Sequence, residues 1–167
     1  TLTEDKIVLE KYLDINGYED IRILKHAFLN SYFQTGLKGN IDEAVIKRAL
    51  ENNLEDLKTK YEKIDEVPFD FSRRRLSVIV SDGNKKQMIT KGAVEEILNI
   101  CSMVDYKGEV SPINKEIKEN IKKISKNLNE QGLRVVAVCQ KNDIDDINHF
   151  DVKDEKNMIL LGFIGFL

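Results

Sequence analysis

The sequence predicts an α+β domain in which a mainly antiparallel β-sheet is flanked by helices and hairpins. β-rich segments are followed by hairpin-type turns at Asp82-Gly83 and Lys107-Gly108. Between these hairpins, apolar residues recur at the spacing of amphipathic helices. Strands that are paired in hairpins and mixed with helices favour this class over strict strand–helix alternation. A length of 167 residues fits one domain, so residues 1–167 are treated as a single unit.

The first third of the chain is predicted to be mostly helical. Residues 7–9 are apolar between charged neighbours and predict a short strand. Apolar residues within 18–32 fall at helical spacing. After a glycine-containing loop at 36–40, a second helix is predicted from Asn40 to about residue 61. Asn40 is expected to be its N-cap, with Glu43 in the capping-box position.

The rest of the chain mixes hairpins with helices. The predicted strands cover residues 76–80, 87–90, 133–138 and 158–167, with a small hairpin at 104–110. One predicted helix covers 93–100, and a longer one runs from about residue 113 to Gly132, which ends it. Six acidic residues between 142 and 157 predict an exposed loop.

Composition excludes several classes of protein. The formal net charge is −3, which removes the electrostatic argument for a general nucleic-acid binder. Cys101 and Cys139 lack the spacing of a zinc site or a disulfide framework and are interpreted as buried thiols of a reducing compartment. The longest apolar run, residues 158–167, is half of the roughly 20 residues that span a bilayer. The amino terminus lacks the features of a signal peptide.

The sequence contains no complete active site. None of the common nucleophile, zinc-protease, dinucleotide or Walker-type motifs is present. His26 and His149 have no partners at ligand spacing and are interpreted as ordinary histidines. The acidic segment lacks the glycine and the terminal glutamate of a calcium loop. We therefore predict no catalytic residue and no metal ligand within these 167 residues.

Aromatic and basic residues crowd the entry to a predicted strand at residues 68–78, PFDFSRRRLSV. Aromatic faces stack on purine bases, and guanidinium groups bind phosphates through forked hydrogen bonds. The alternative is structural: Phe69 and Phe71 fill the core while the arginines face water. Chemistry alone favours this structural interpretation.

Two further segments suit an anionic ligand. In TKGAVEEIL, a strand ends at Lys91, Gly92 permits close backbone approach, and a helix then begins. A routine tight turn with an exposed lysine is the structural alternative. In NEQGLRVVAV, Arg134 interrupts an apolar strand, which places it at a pocket rim or on a path to water.

In this order and spacing, the three segments resemble the nucleotide-binding domain of P-type ATPases. KGA at 91–93 is similar to the signature turn of that domain, and residues 68–78 are similar to its adenine-side strand. TLT at 1–3 resembles the end of the family's phosphorylation loop, and GFIGFL at 162–167 resembles the strand before its D-P-P segment. NSYFQTGLKGNIDEAV, PFDFSRRRLSV and QGLRVVAV resemble the bacterial magnesium-transporting branch.

The resemblance implies roles for four residues that match the family pattern. Phe69 would stack on the adenine ring, Lys91 and Gly92 would line the pocket beside the nucleotide, and Arg134 would reach the phosphates.

Two more candidates depart from the family pattern. Asp42 stands where many relatives have glutamate and would accept a hydrogen bond from the adenine amino group. Its alternative role is that of a first-turn acid on a capped helix. Arg74 replaces the usual lysine five residues after Phe69, which keeps the positive charge but changes its geometry.

The resemblance also implies the wider function. The chain would be a fragment of an ATP-hydrolysing, ion-transporting membrane protein, on the cytoplasmic side of the plasma (inner) membrane. It would hold ATP, with Mg²⁺ as counter-ion, and present the γ-phosphate to an aspartate upstream of Thr1. Residues 1–5 and 160–167 would adjoin the phosphorylation domain, and the partners would be that domain and the actuator domain. Magnesium import is the expected activity. The alternatives are another cation branch, such as calcium, and a non-catalytic α+β interaction module.

Overall fold

The computed structural model describes residues 6–142, 144 and 149–167, and these ranges form one eight-stranded mixed sheet with five α-helices. The strands are β1 (Leu9–Asp14), β2 (Glu62–Asp70), β3 (Arg75–Ser81), β4 (Lys86–Gly92), β5 (Cys101–Tyr106), β6 (Glu109–Pro112), β7 (Arg134–Lys141) and β8 (Met158–Phe166). The helices are α1 (Ile21–Phe33), α2 (Asn40–Glu51), α3 (Leu57–Lys60), α4 (Val94–Ile100) and α5 (Lys115–Glu130). The predicted α+β class is confirmed.

The sheet is antiparallel except at one pair. Its order is β2-β3-β4-β7-β8-β5-β6, and only the β5–β8 pair among the described strands is parallel. One edge of β8 pairs with β7, and its other edge is shared between β5 at Met158–Leu160 and β1 at Gly162–Phe166. The most apolar run of the sequence therefore becomes a strand with neighbours on both sides.

Side chains alternate between the two faces of the sheet, and helices cover both. Val78, Val80 and Ile89 lie on one face and pack in a cluster with residues of α1 and α2. Ile79 and Met88 lie on the other face and pack with residues of α4 and α5. Burial on both faces explains why β7 and β8 carry long apolar runs rather than alternating apolar and polar residues.

The two predicted hairpin turns are confirmed. Gly83 has a φ of +97°, and Lys107 and Gly108 have φ values of +53° and +93°. A turn with two consecutive left-handed residues matches the twist of the strands that flank it. The turn at Lys107-Gly108 therefore joins β5 to β6 without splaying them.

The amino-terminal predictions need three corrections. The first strand is β1, which begins at Leu9 instead of covering residues 7–9. The N-cap of α2 is Gly39, and no side chain caps it, so the predicted capping box at Asn40 and Glu43 is wrong. α2 ends at Glu51 because the chain turns through Asn53, whose φ is +62°, before the short α3.

The sequence pattern predicts neither the strand β2 nor the burial of Glu155. β2 is an edge strand in which only Val67 is buried, so its sequence has no clear alternation. The predicted exposed loop at 142–157 is wrong at its end, because Glu155 is only 3% exposed and follows a 3₁₀ turn at Val152–Asp154. The acidic residues at 143, 145 and 146, like residues 1–5, lie outside the described residues.

His26 is a buried, neutral residue of α1. It is 6% exposed, its Nδ1 lies 2.7 Å from the Arg22 carbonyl oxygen, and its Nε2 lies 3.0 Å from Gln87 Nε2. A ring that donates to Arg22 and accepts from Gln87 satisfies both contacts without a charge. Burial lowers the pKa of His26 to about 4, and the charges of Lys25 and Arg22 act in the same direction.

We expect this burial to make the domain less stable in acid. The unfolded chain binds the histidine proton near its ordinary pKa of 6.5, whereas the folded chain binds it only near 4, so protonation favours unfolding between these values. The decrease in the free energy of unfolding grows as pH falls and reaches about 3 kcal/mol. Urea denaturation across this range should show a larger loss of stability in the unmodified chain than in His26→Gln. His149→Gln is the control, because that side chain is 94% exposed. Equal pH slopes in the unmodified chain and His26→Gln would contradict the assignment.

Candidate functional site

One cavity of about 510 Å³ brings the sequence-predicted site residues together. It opens where β3 begins, β4 ends and β7 begins. The antiparallel register places Arg75 opposite Gly92, and Gly92 opposite Ala137, so these three strand ends meet at one edge of the sheet. The predicted residues that line it are Asp42, Phe69, Arg74, Lys91, Gly92 and Arg134.

The aromatic residues of the β2–β3 hairpin lie at the surface, not in the core. Phe69 is 50% exposed and lines the cavity, and Phe71 is 90% exposed. Their ring centroids are 5.5 Å apart with an interplanar angle of 82°, an edge-to-face pair. The interpretation that both rings fill the core is therefore wrong. Phe69 presents an apolar surface at the cavity.

Lys91 is a buried cation held from two sides. Its Nζ lies 2.9 Å from Asp42 Oδ1 and also donates to Asn30 Oδ1. The Asn30 amide in turn donates to the carbonyl oxygens of Leu76 and Ile89, at 3.1 and 2.9 Å. Burial lowers the pKa of Lys91, and the Asp42 carboxylate opposes that shift. An ammonium group has three donors, and among the described residues Asp42 and Asn30 take two of them.

Asp42 is engaged by three side chains of the domain. Besides Lys91, its Oδ1 accepts from Ser31 Oγ at 2.8 Å, and its Oδ2 accepts from Gln34 Nε2 at 3.3 Å. These contacts tie the first turn of α2 to α1 and to the end of β4. The Asp42 carboxylate therefore holds Lys91 in place, and the predicted contact with an adenine amino group stays a prediction.

Arg74 and Arg134 are the exposed cations of the cavity. Neither guanidinium has an ion pair or hydrogen bond with any described residue of the chain. Arg74 lies in the β2–β3 turn with a φ of +53°, and Arg134 is the first residue of β7. Guanidinium groups without an internal partner are available for an anion at the cavity.

Gly92 is required by the close approach of two strands. A Cβ at this position would lie 2.5 Å from the Arg74 carbonyl oxygen and 2.7 Å from Arg75 Cβ. The same carbonyl accepts a hydrogen bond from the Ala93 N–H at 3.2 Å. Gly92 thus lets the backbone of Arg74 rest directly against the end of β4.

Sequence reasoning missed the buried polar residues that bind Lys91 and Asp42, and it missed the apolar lining of the cavity. Asn30 and Ser31 lie on the mostly apolar α1 and are both 0% exposed, and Gln34, the C-cap residue of that helix, is 5% exposed. Polar residues at core positions of a helix were the available signal. The apolar lining comes from Ile7, Leu37, Ile41, Leu76, Ala93, Val135 and Val136.

A second, larger cavity of about 820 Å³ adjoins the first and shares Ile7 and Asn40 with it. Its charged lining residues include both lysines and glutamates, among them Lys47 and Glu43. It has no aromatic residue and none of the predicted site residues. Its size alone does not make it a nucleotide site, because recognition depends on placed polar and aromatic groups.

Residues 25–167 match the family described as P-type ATPase, cytoplasmic domain N. The chain belongs to this family. The N domain is 46% identical over 168 residues to a magnesium-transporting ATPase, P-type 1, of Escherichia coli strain K12. This alignment covers 100% of the chain and 19% of that protein. The N domain is 45% identical, with the same coverage, to the protein of that name in Salmonella typhimurium strain 14028s. A calcium-transporting ATPase of Listeria monocytogenes is 29% identical over 126 residues, 74% of the chain and 14% of that protein.

These matches confirm the predicted family and its likeness to bacterial magnesium-transporting ATPases. The N domain spans about a fifth of the length of these relatives, 19% for the two magnesium-transporting proteins. Within the described residues, no helix is both long and apolar enough to cross a membrane. The same part of the chain contains no group of three His, Cys, Asp or Glu side chains placed to hold a metal ion.

Proposed function

We propose that the N domain binds ATP in the 510 Å³ cavity and supplies it to a P-type cation-transporting ATPase. The adenine ring stacks on the exposed face of Phe69, beside the apolar side chains of Leu76 and Val136. The phosphates lie towards Arg74 and Arg134. Lys91 donates its remaining N–H to the nucleotide.

The proposal rests on one observation: an exposed aromatic ring and two unpartnered guanidinium groups line the same cavity. Stacking recognises the base, and guanidinium groups recognise phosphate, so this pair of chemistries matches the two ends of a nucleotide. The volume is also within the range of roughly 300–1,000 Å³ typical of small-molecule sites. A structural role that buries the aromatic residues of the hairpin in the core does not account for the exposure of Phe69 at the cavity.

The domain contributes binding and orientation, but no nucleophile. Phosphoryl transfer depends mainly on alignment of the donor and acceptor and on neutralisation of charge. We propose that the γ-phosphate is presented to an aspartate in a phosphorylation domain outside these residues, with the actuator domain as a further partner. Asp42 is engaged with Lys91, Ser31 and Gln34, so the described residues that line the cavity offer Mg²⁺ no free carboxylate. Mg²⁺ would arrive with the ATP phosphates and find its protein ligands elsewhere.

We propose magnesium import as the activity of the whole protein, at the cytoplasmic side of the plasma (inner) membrane. The relatives at 45% and 46% identity are named as magnesium-transporting ATPases, whereas a calcium-transporting relative is 29% identical. A magnesium-uptake assay of the whole transporter would test this. Uptake of calcium in place of magnesium would favour the calcium branch.

Replacing Phe69 by alanine is expected to weaken ATP binding without unfolding the domain. Base–aromatic stacking contributes roughly 1–3 kcal/mol, which is a loss of about 5- to 150-fold in affinity. Titration of the isotopically labelled chain with ATP, followed by NMR, would give both the affinity and the amides that move. We expect amides near Phe69, Lys91 and Gly92 to shift.

The matched control is Tyr18→Ala, which removes another exposed ring, 64% exposed and outside the cavity. It should bind ATP as tightly as the unmodified chain. If saturating ATP moved no amide around the cavity, the nucleotide proposal would fail and an interaction module would be favoured. If both variants lost affinity equally, stacking on Phe69 would be wrong.

A further inference from the structure

Glu155 is a buried carboxylate at the centre of a charge cluster beside the cavity. Its side chain is 0% exposed. Its Oε1 accepts from Arg73 Nε at 3.0 Å and from Arg75 Nε at 3.1 Å, and its Oε2 accepts from Arg73 Nη2 at 3.3 Å and from Ser77 Oγ. Ser77 also shares a hydrogen bond with Thr90 Oγ1, 2.6 Å away on β4. One residue from the segment before β8 therefore binds the β2–β3 hairpin and, through Ser77, β4.

Arg73 joins the two sides of this hairpin. Its Nη2 donates to the Pro68 carbonyl oxygen at 3.1 Å on the β2 side and to the Arg75 carbonyl oxygen at 3.3 Å on the β3 side. Its Nη1 donates to Asp70, whose Oδ1 accepts from the Arg73 N–H at 2.8 Å. With Glu155 on its other edge, the guanidinium has a fixed position.

Arg74 lies between the two arginines that Glu155 holds. Its φ of +53° is a left-handed conformation that non-glycine residues rarely adopt without support. On its other side, its carbonyl oxygen accepts from Ala93 N–H and packs where Gly92 has no side chain. Its guanidinium alone of the three lacks an acidic partner among the described residues.

We propose that Glu155 is a positioning residue of the nucleotide cavity. Its carboxylate holds Arg73 and Arg75 on the side away from the cavity, which fixes the turn so that Arg74 faces the cavity as its free cation. This inference rests on the proposed function, because it concerns how the same site recognises phosphate.

Charge balance supports this role. Three consecutive arginines repel one another, and a flexible turn would let any of them compete for an anion. Glu155, with Asp70 on Arg73 and Glu96 3.9 Å from Arg75, neutralises two of the three charges. The positive charge that remains is that of Arg74, at one defined position. Preorganisation of this kind reduces the conformational entropy that is lost on ligand binding.

The test compares ATP with adenosine in the 167-residue chain. Glu155→Gln keeps the size of the side chain and the hydrogen bond with Ser77 but removes the charge that holds both arginines. We expect ATP affinity to fall roughly tenfold, as is typical when the residue behind a ligand-binding group is removed. Adenosine, which lacks phosphates, should lose less than about twofold, so the ratio of the two affinities changes. The amide resonance of Arg74 should also shift in the absence of ligand.

Two further variants separate positioning from a general loss of stability. Ile121→Ala removes a buried side chain of α5, a helix that packs against β7 and α4, and should leave the ATP-to-adenosine ratio unchanged. Arg74→Asn keeps a residue that tolerates the left-handed conformation but removes the cation. In the Arg74→Asn background, Glu155→Gln should cause no additional loss of ATP affinity. If Glu155→Gln does not fold, Arg73→Lys, which keeps the charge but loses the forked contacts, should lower the same ratio.

The outcomes distinguish this inference from the proposed function. If the unmodified chain does not bind ATP, the proposed function is wrong and the role of Glu155 in it is wrong too. If it binds ATP but Glu155→Gln binds ATP equally well, or loses ATP and adenosine alike, only the positioning role is overturned. The positioning role would also be overturned if Glu155→Gln lowered ATP affinity as much in the Arg74→Asn background as it does in the unmodified chain.

Discussion

Replacing Gly162 by alanine is expected to destabilise the domain by about 3 kcal/mol or more. A Cβ at this position would lie 2.0 Å from the Leu13 carbonyl oxygen and 3.1 Å from Asp14 Cα. Both atoms belong to β1, which pairs with β8 at this point. Backbone atoms cannot rotate away as a side chain does, so β1 would have to separate from β8. Because β8 also pairs with β7, the strain would act at the centre of the sheet.

Gly165→Ala is the matched control for this prediction. It lies on the same strand, also opposite β1, but its Cβ would lie 3.5 Å from the nearest atom, Leu133 Cδ1, an ordinary contact. Thermal unfolding should show a drop of roughly 10 °C for Gly162→Ala and little change for Gly165→Ala. Similar effects from both substitutions would mean that loss of glycine in a strand, and not the contact with β1, causes the destabilisation.

The strands and helices whose formation is determined by residues close together in the sequence are predictable from that sequence. β3 and β4 flank a turn at Asp82-Gly83 and are rich in β-branched residues, so local pattern and tertiary pairing agree. α5 has a regular apolar spacing that ends at Gly132, whose φ is +87°. The helix itself ends at Glu130, within two residues of the predicted stop.

Contacts between distant segments account for what sequence reasoning missed. Glu155 is buried because Arg73 and Arg75, 82 and 80 residues away, surround it, and nothing in its local acidic sequence indicates this. Asn30 is separated by 61 residues from Lys91, to which it binds. The edge strand β2 is mostly half-exposed, so its pattern is weak. In each case, an environment that is set by the fold overrides the local signal.

The buried pair of Lys91 and Asp42 gives the second large effect. Lys91→Met keeps the length of the side chain but leaves the Asp42 carboxylate, 14% exposed, without a counter-charge and Asn30 Oδ1 without its donor. Removing one partner of a buried ion pair costs about 3–5 kcal/mol, so we expect a loss near the lower end of this range. Asp42→Asn alone should also destabilise the domain, because it leaves the Lys91 ammonium buried and unpaired.

The double variant separates the structural role of Lys91 from its proposed role in binding. In Lys91→Met with Asp42→Asn, neither charge remains, and the asparagine still accepts from Ser31, so chemical denaturation should show that roughly 1–3 kcal/mol of the lost stability returns. ATP affinity should not return with it, because the ammonium donor that faces the cavity is still absent. A charge-assisted hydrogen bond of about 1.5–3 kcal/mol corresponds to a loss of roughly 10- to 150-fold. If ATP affinity recovered together with stability, Lys91 would act only as a structural partner of Asp42, and the nucleotide would depend on Phe69, Arg74 and Arg134.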